Sequence, residues 1–280
     1  EDLSCPCCQT QNSWTRCASL PGWIFGVDAR VLKCRVCGAG ATWPLPPGGG
    51  GFYEDNARYD ELFRQNSALY TGFAEQLISA LEYVPRPSCR RFLDVGCGGG
   101  FLLKSALERG YEAKGIEANR RLVDYCVRAG LSVTAESLEA ATESAEQKYG
   151  VISLSAVLEH VFDPAALLTM ARALLSEDGH VLISQADFSG LLPRVAPWVW
   201  YGWQPHEHFW HFDIDSFSRL AESVGFSVTY VRAGSLHHPW SLSRNPKEFV
   251  GRNLAGVLAR LGAAVQRSDS FDMVLALRRG

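Results

Sequence analysis

Three groups of residues in this 280-residue chain have the types and spacing to do chemistry. The first is a set of cysteines near the N-terminus. Cys5 and Cys8 are separated by two residues, and so are Cys34 and Cys37. Two such knuckles bring four thiolates around one tetrahedral zinc ion. A closed four-sulfur site keeps no open coordination position, so its role is structural. Cys7 is poorly spaced from Cys5, and Cys17 stands apart as a spare thiol. A redox dithiol is the competing reading, and the pairing of two knuckles argues against it. The second group is Leu93-Asp94-Val95-Gly96-Cys97-Gly98-Gly99-Gly100, followed by a helix-like stretch from Phe101 to Arg109. A strand that turns into a helix with nothing bulky at the corner lets a ligand approach the backbone, and helix-opening N–H groups point into the same space. The third is His206-Glu207-His208, embedded in an aromatic segment from Trp198 to Phe212. Imidazole is a suitable base for an oxygen, a nitrogen or an acidic carbon. His208 is the first candidate base and His206 the second, with Glu207 as the helper. The zinc-protease pattern H-E-x-x-H is not met, because position 210 is Trp.

The glycine corner narrows the choice of cofactor. A phosphate-binding loop needs a glycine directly before Lys104-Ser105, and none is there. In a dinucleotide fingerprint Gly96 and Gly98 fit, but the third glycine position is Phe101. S-adenosylmethionine (SAM) has no phosphate, so its loop needs close backbone approach more than an anion nest. Its charged amino-acid tail suits Asp94 and the Gly96-Cys97-Gly98 loop. Glu117 ends the next short strand about 20 residues after the first glycine, the spacing of a ribose-binding carboxylate.

On these residues, Leu93 to Gly100 resembles motif I of class I SAM-dependent methyltransferases. The run from Tyr149 to Val161, followed by Asp163-Pro164, resembles the strand and V-L-E-H-V turn of the same superfamily, with Gly150 where an Asp often stands. The resemblance implies that Ser155 lies beside the methionine part of the cofactor. It also implies that Ala118 joins Glu117 in the cofactor site and that Ser137 and Leu138 meet adenine. Glu159 and His160 read as a capping acid and a packed imidazole. His206-Glu207-His208-Phe209 resembles a segment of zinc-containing sugar C-methyltransferases, which also carry a cysteine-rich N-terminal module. That likeness implies acid–base groups in this segment.

The elements that must position these groups alternate. Strands are expected at Arg91 to Val95, Ala113 to Glu117, Ser132 to Ala135, Val151 to Leu154 and His180 to Gln185. Helices are expected at Phe101 to Arg109, Arg120 to Ala129, Ala165 to Leu174 and Ile214 to Val224. This alternation predicts an α/β fold with a parallel sheet covered on both faces. The family resemblance implies a mostly parallel Rossmann-like sheet with its last strand antiparallel, from the candidates Phe226 to Arg232 and Phe271 to Leu277. Leu174 to His180 reads as a helix end, a turn and a new strand, and Arg244 to Leu261 as a helix. The Pro- and Gly-rich run from Pro44 to Gly51 marks a boundary. It divides the chain into a zinc-binding module at 1–47, a helical cap or linker at 52–85, where Phe52 to Leu81 reads as one helix on the spacing of Leu62, Leu69, Phe73, Leu77 and Leu81, and a SAM domain at 86–280.

Bulk properties set the class. A net charge of −3 carries no nucleic-acid footprint. No apolar run is long enough for a bilayer, since Pro193, Arg194 and Pro197 interrupt Leu191 to Trp203. Nine cysteines, an odd number with two close clusters among them, argue for metal and free thiols, and the chain shows no secretion signal, so a cytoplasmic location is expected. The reading is a SAM-dependent methyltransferase with structural zinc. It acts at carbon or oxygen of a small acceptor from secondary or sugar metabolism, in an aromatic-lined pocket. The alternatives are a carboxylate acceptor or a carrier- or peptide-bound acceptor that needs no base, an NAD-type oxidoreductase, and a non-catalytic SAM- and zinc-binding protein.

Overall fold

A computed structural model describes residues 3–22, 26–47, 57–143, 147–195, 200–234 and 269–278. The expected helix from Arg244 to Leu261 lies outside these, as do Trp23, Phe25, Trp198 and residues 48–56.

The centre is a seven-stranded sheet. Its strands are β4 (Arg91–Val95), β5 (Glu112–Ile116), β6 (Val133–Thr134), β7 (Tyr149–Ser155), β8 (Leu175–Ala186), β10 (Phe226–Gly234) and β11 (Ser270–Leu277). The spatial order is β10-β11-β8-β7-β4-β5-β6. The pairs from β8 to β6 are parallel, whereas β11 runs antiparallel to both β8 and β10. This is the α/β sheet the sequence predicts, with the final strand reversed and inserted one place from the edge. Leu93, Ile152, Val181 and Ile183 on neighbouring strands are wholly enclosed, as strands covered on both faces must be.

Helices follow the strands: α3 (Phe101–Glu108), α4 (Arg120–Arg128), α5 (Leu138–Glu143), α6 (Pro164–Leu174), the short α7 (Leu191–Val195) and α8 (Ile214–Ser223). Asp163 accepts the N–H of Ala166, and Pro164 occupies the first turn, so α6 starts where its sequence dictates. Asp213 and Ser216 form a reciprocal capping box on α8. Ahead of the sheet, α1 (Ala57–Gln65) and α2 (Ser67–Ser79) replace the single helix expected up to Leu81. The break falls at Asn66, whose side chain donates to the Leu62 carbonyl at 2.9 Å and competes with the helix.

One other expectation changes. The turn before the fifth parallel strand is absorbed into β8. Tyr149 pairs with Leu175 and Val151 with His180, so residues 176–179 bulge out of a continuous strand. Gly150 also has a local reason: a Cβ there would sit 1.9 Å from the Cys89 carbonyl oxygen.

The N-terminal segment forms a second sheet, β1-β2-β3-β9, from β1 (Trp14–Leu20), β2 (Ala29–Cys34), β3 (Gly40–Trp43) and β9 (Trp210–His211). Its fourth strand comes from the histidine-rich segment far along the chain. Leu3, Cys5, Leu32 and Ala41 share one apolar core with Leu154, Leu158 and Phe217.

Candidate active site

The glycine corner folds as its composition requires. Gly96, Gly98 and Gly100 have φ of 67°, 53° and 73°, the left-handed region that side chains disfavour. A Cβ on Gly98 would lie 2.8 Å from the Phe63 ring. Glu117 at the end of β5 closes the corner. Its Oε2 accepts the N–H of Gly98 and its Oε1 that of Asn119, both at 2.8 Å. Asp94 is buried and accepts the Ser153 hydroxyl. Burial pushes its carboxyl up to about 7. Desolvation raises Glu117 as well, against the backbone bonds that lower it.

One cavity of about 630 Å³ opens beside this corner. Asp94, Gly96, Cys97, Gly98, Glu117, Ala118, Ser137, Leu138 and Ser155 all line it, so the structure brings every cofactor residue read from the sequence to one place. Parallel strands put their C-terminal ends side by side, which is why β4, β5 and β7 deliver them together. The helices α1 and α2 form the opposite wall. Phe63 and Tyr70 pack at 4.6 Å, and Tyr70 stacks on Phe101 at 5.5 Å.

The cavity continues past Ser155 to Glu159, His160, Gln185, Glu207 and His208. Ala156, the turn residue after β7, holds a φ of 53°, an unfavourable conformation for alanine. His208 is buried, and its Nδ1 lies 2.8 Å from the Gly202 carbonyl. A carbonyl only accepts, so Nδ1 carries the proton and Nε2 is a lone pair. That Nε2 has no partner. Burial lowers the imidazole to about 4, keeping it neutral. The His160 ring meets His208 edge-on at 4.5 Å, and its Nδ1 lies 3.9 Å from Glu207.

His206 does not join them. It is exposed, outside the cavity wall, and its ring lies near Gly26. The aromatic pocket also differs from the sequence reading. Trp200, Trp203, Trp210 and Phe212 are buried in packing and do not line the cavity, whose aromatic wall is Phe63, Tyr70, Phe73, Phe101, Phe162 and Phe209. Glu159 is no cap, since Asp163 takes that role. It is buried in the cavity wall with Oε2 unpartnered, and burial pushes it up to about 7. The sequence signal that marks Glu159 and His160 as site residues is their place just beyond the end of β7, next in the sheet to the glycine corner.

The four cysteines converge. Cys5 and Cys37 sulfurs are 3.4 Å apart, and those of Cys8 and Cys34 are 3.7 Å apart. All four lie within 4.8 Å of one another. Tetrahedral zinc with bonds of about 2.3 Å requires sulfurs about 3.8 Å apart. Gly38, with φ of 87°, makes the turn after the second knuckle. Cys7 is buried against Cys5 and Cys37.

A reversed strand beside a parallel sheet, with a glycine corner facing a strand-end acid, defines the SAM-dependent methyltransferase fold. The chain belongs to the methyltransferase domain family, whose model matches residues 63–231, more than half its length. Among solved structures, a SAM-dependent methyltransferase from Archaeoglobus fulgidus matches with a TM-score of 0.52 at 16% identity, covering 76% of this chain and 98% of that one. Magnesium protoporphyrin IX methyltransferase from Synechocystis, solved with bound S-adenosylhomocysteine (SAH), matches with a TM-score of 0.52 at 12% identity, covering 83% and 96%. Ubiquinone biosynthesis O-methyltransferase of Ralstonia nicotianae is 36% identical over 101 residues, 34% of this chain and 42% of that protein. The same enzyme of Methylococcus capsulatus is 34% identical over 106 residues, 36% and 45%. The chain thus spans less than half the length of these curated relatives. No helix among the described residues is long and apolar enough to cross a membrane.

Proposed function

We propose that the chain transfers the methyl group of SAM to an oxygen of a small-molecule acceptor, with His208 as the general base. One observation carries this reading: His208, whose buried Nε2 has no partner, lines the cavity that holds the glycine corner and Glu117. The choice of oxygen draws on the relatives named as O-methyltransferases.

The residues fit SAM. The corner between Gly96 and Gly98 leaves space that a side chain would fill. Each Glu117 oxygen spends one lone pair on a backbone N–H, and the remaining pairs accept two ribose hydroxyls. Buried Asp94 gains a counter-charge from the cationic amino-acid end. Ser137 and Leu138 border the adenine side, and Ala118 and Ser155 complete the wall. When bound, SAM supplies an activated methyl group on sulfur. The protein aligns the acceptor oxygen for in-line attack and removes its proton. That proton passes to His208 Nε2, and Gly202 holds the ring in the required tautomer. Cys5, Cys8, Cys34 and Cys37 hold a structural zinc ion.

Calorimetric titration of the full chain with SAM, SAH and NAD tests this. SAM and SAH bind, NAD does not, and Glu117→Ala binds SAM about 10–100-fold more weakly. Binding of NAD alone overturns the reading.

A further inference from the structure

The acceptor end of the cavity offers hydrogen-bond acceptors and few donors. Among the described residues, no lysine or arginine side chain lines it. Three carboxyl groups do, those of Glu159, Glu207 and Asp272. Asp272 is engaged already: the Ser184 hydroxyl donates to it at 3.0 Å and the Arg232 guanidinium at 2.8 Å. Glu159 differs. The Gln185 side chain bonds to it, yet its Oε2 has no partner. The Oε1 of Gln185 and the Nε2 of His208 are likewise buried without one. All three orphan atoms accept hydrogen bonds, and a buried acceptor left unmade is costly. A ligand that belongs here brings several donors. A carboxylate or phosphate brings none and faces like charge.

Spacing sharpens the choice. A carboxylate oxygen of Glu159 lies within 4.8 Å of a ring nitrogen of His208. With each bond about 2.8–3.0 Å long, two donors carried on adjacent carbons of one ligand reach both groups. A hydroxyl supplies one donor, and an ammonium group three. An ammonium group also compensates the charge of a buried carboxylate as a neutral hydroxyl does not. Phe162, which is 63% exposed, meets Phe209 edge-on at 6.1 Å and gives the rest of the ligand an apolar surface.

We propose that the acceptor is a vicinal amino alcohol, whose hydroxyl faces His208 Nε2 while its ammonium group is held by Glu159 Oε2 and Gln185 Oε1. This deepens the proposed function and rests on its reading of the cavity. The carboxylate acceptor admitted by the sequence is thereby set aside.

Three probes of one shape test it: 2-amino-1-phenylethanol, 1-phenylethane-1,2-diol and mandelate. Each is titrated calorimetrically into the full chain saturated with SAH at neutral pH. The amino alcohol binds at least about tenfold more tightly than the diol, and mandelate gives no heat. Glu159→Gln, nearly isosteric and checked for folding by thermal melting, brings amine and diol within about twofold of each other. Equal affinities in the parent chain, tightest binding of mandelate, or no binding of any probe overturns the proposal. So does stoichiometric manganese(II) binding that Glu159→Gln abolishes, because Glu159, His160 and His208 would then hold a cation of their own. Failure of SAH itself to bind overturns the cofactor reading, whereas SAH binding without amine preference overturns this inference alone.

Discussion

The backbone N–H of Phe209 donates to the carbonyl of Glu159 at 2.8 Å, tying the cysteine sheet to the floor of the cavity. The carbonyl of Phe209 in turn accepts the N–H of Thr42 at 3.0 Å, and β9 then pairs with β3. The Thr42 hydroxyl meets His211 Nε2 at 3.0 Å, and the Trp210 indole N–H reaches the carbonyls of Val161 and Phe162 at 3.1 Å. Both segments that carry polar groups into the acceptor end are therefore braced by the sheet that the cysteine knuckles close. Cys34→Ser should lose one zinc per chain in metal analysis and lower kcat about 10–100-fold, as loss of a supporting shell does. SAH affinity should change little, because the glycine corner belongs to the other sheet. A parallel collapse of SAH affinity in calorimetry would count against this coupling.

Glu117 bonds the loop and is proposed to accept the ribose hydroxyls, so its removal has two readable effects. Glu117→Ala should weaken SAM binding by about 1.5–3 kcal/mol, the range for hydrogen bonds to a charged group. It should also lower the melting temperature of the free protein, because the Gly98 and Asn119 N–H groups lose their partner. Titration calorimetry and thermal melts on the same sample separate the two. Unchanged SAM affinity sinks the ribose role.

The fold was legible because its signals are local. Alternating apolar runs and helical stretches place β4 through β8, and Asp163-Pro164 marks the start of α6 from a few residues. The residues that meet at the glycine corner's end of the cavity were legible for the same reason: glycine corner and strand-end acid sit at a characteristic separation. The acceptor end was not. Glu159 and His208 are 49 residues apart, and nothing local says that β9 will pair with β3 and turn His208 inward. The sequence ranks His208 ahead of His206 as base but gives no sign that they part company, and that pairing leaves His206 exposed and His208 buried. The tryptophans misled because aromatic residues fill cores as readily as they line pockets. The break at Asn66 was missed because apolar spacing runs through it.

His208 carries a prediction about pH. Burial lowers its imidazole to about 4, against the opposing pull of the Gly202 carbonyl. The unprotonated, base-competent form therefore persists well below the ordinary imidazole range of about 6.5. The kcat profile, read with both substrates bound so that Asp94 and Glu159 have their cationic partners, should stay level as pH falls through that range, and His208→Ala should lower kcat about 10²–10⁴-fold. An acid limb centred near the ordinary value would mean that another histidine supplies the base.

Glu159 makes the free protein's stability depend on pH in a direction that can be worked out. Desolvation raises its carboxyl from 4.5 to about 7 in the folded chain. Between those values the folded state holds a proton that the unfolded state has released. Stability from this group is therefore fully present below the unfolded value and lost as pH rises through the folded one. Asp94, raised to about 7 by burial, acts in the same direction, while His208, lowered to about 4, acts oppositely below the ordinary imidazole value. A single variant isolates the Glu159 share. Glu159→Gln cannot ionise, so its stability relative to the parent should climb by on the order of 1–3 kcal/mol from about pH 5 to pH 8. Urea melts across that range measure the difference directly. A difference that stays constant with pH would show that Glu159 titrates normally and is not the desolvated carboxyl the structure describes.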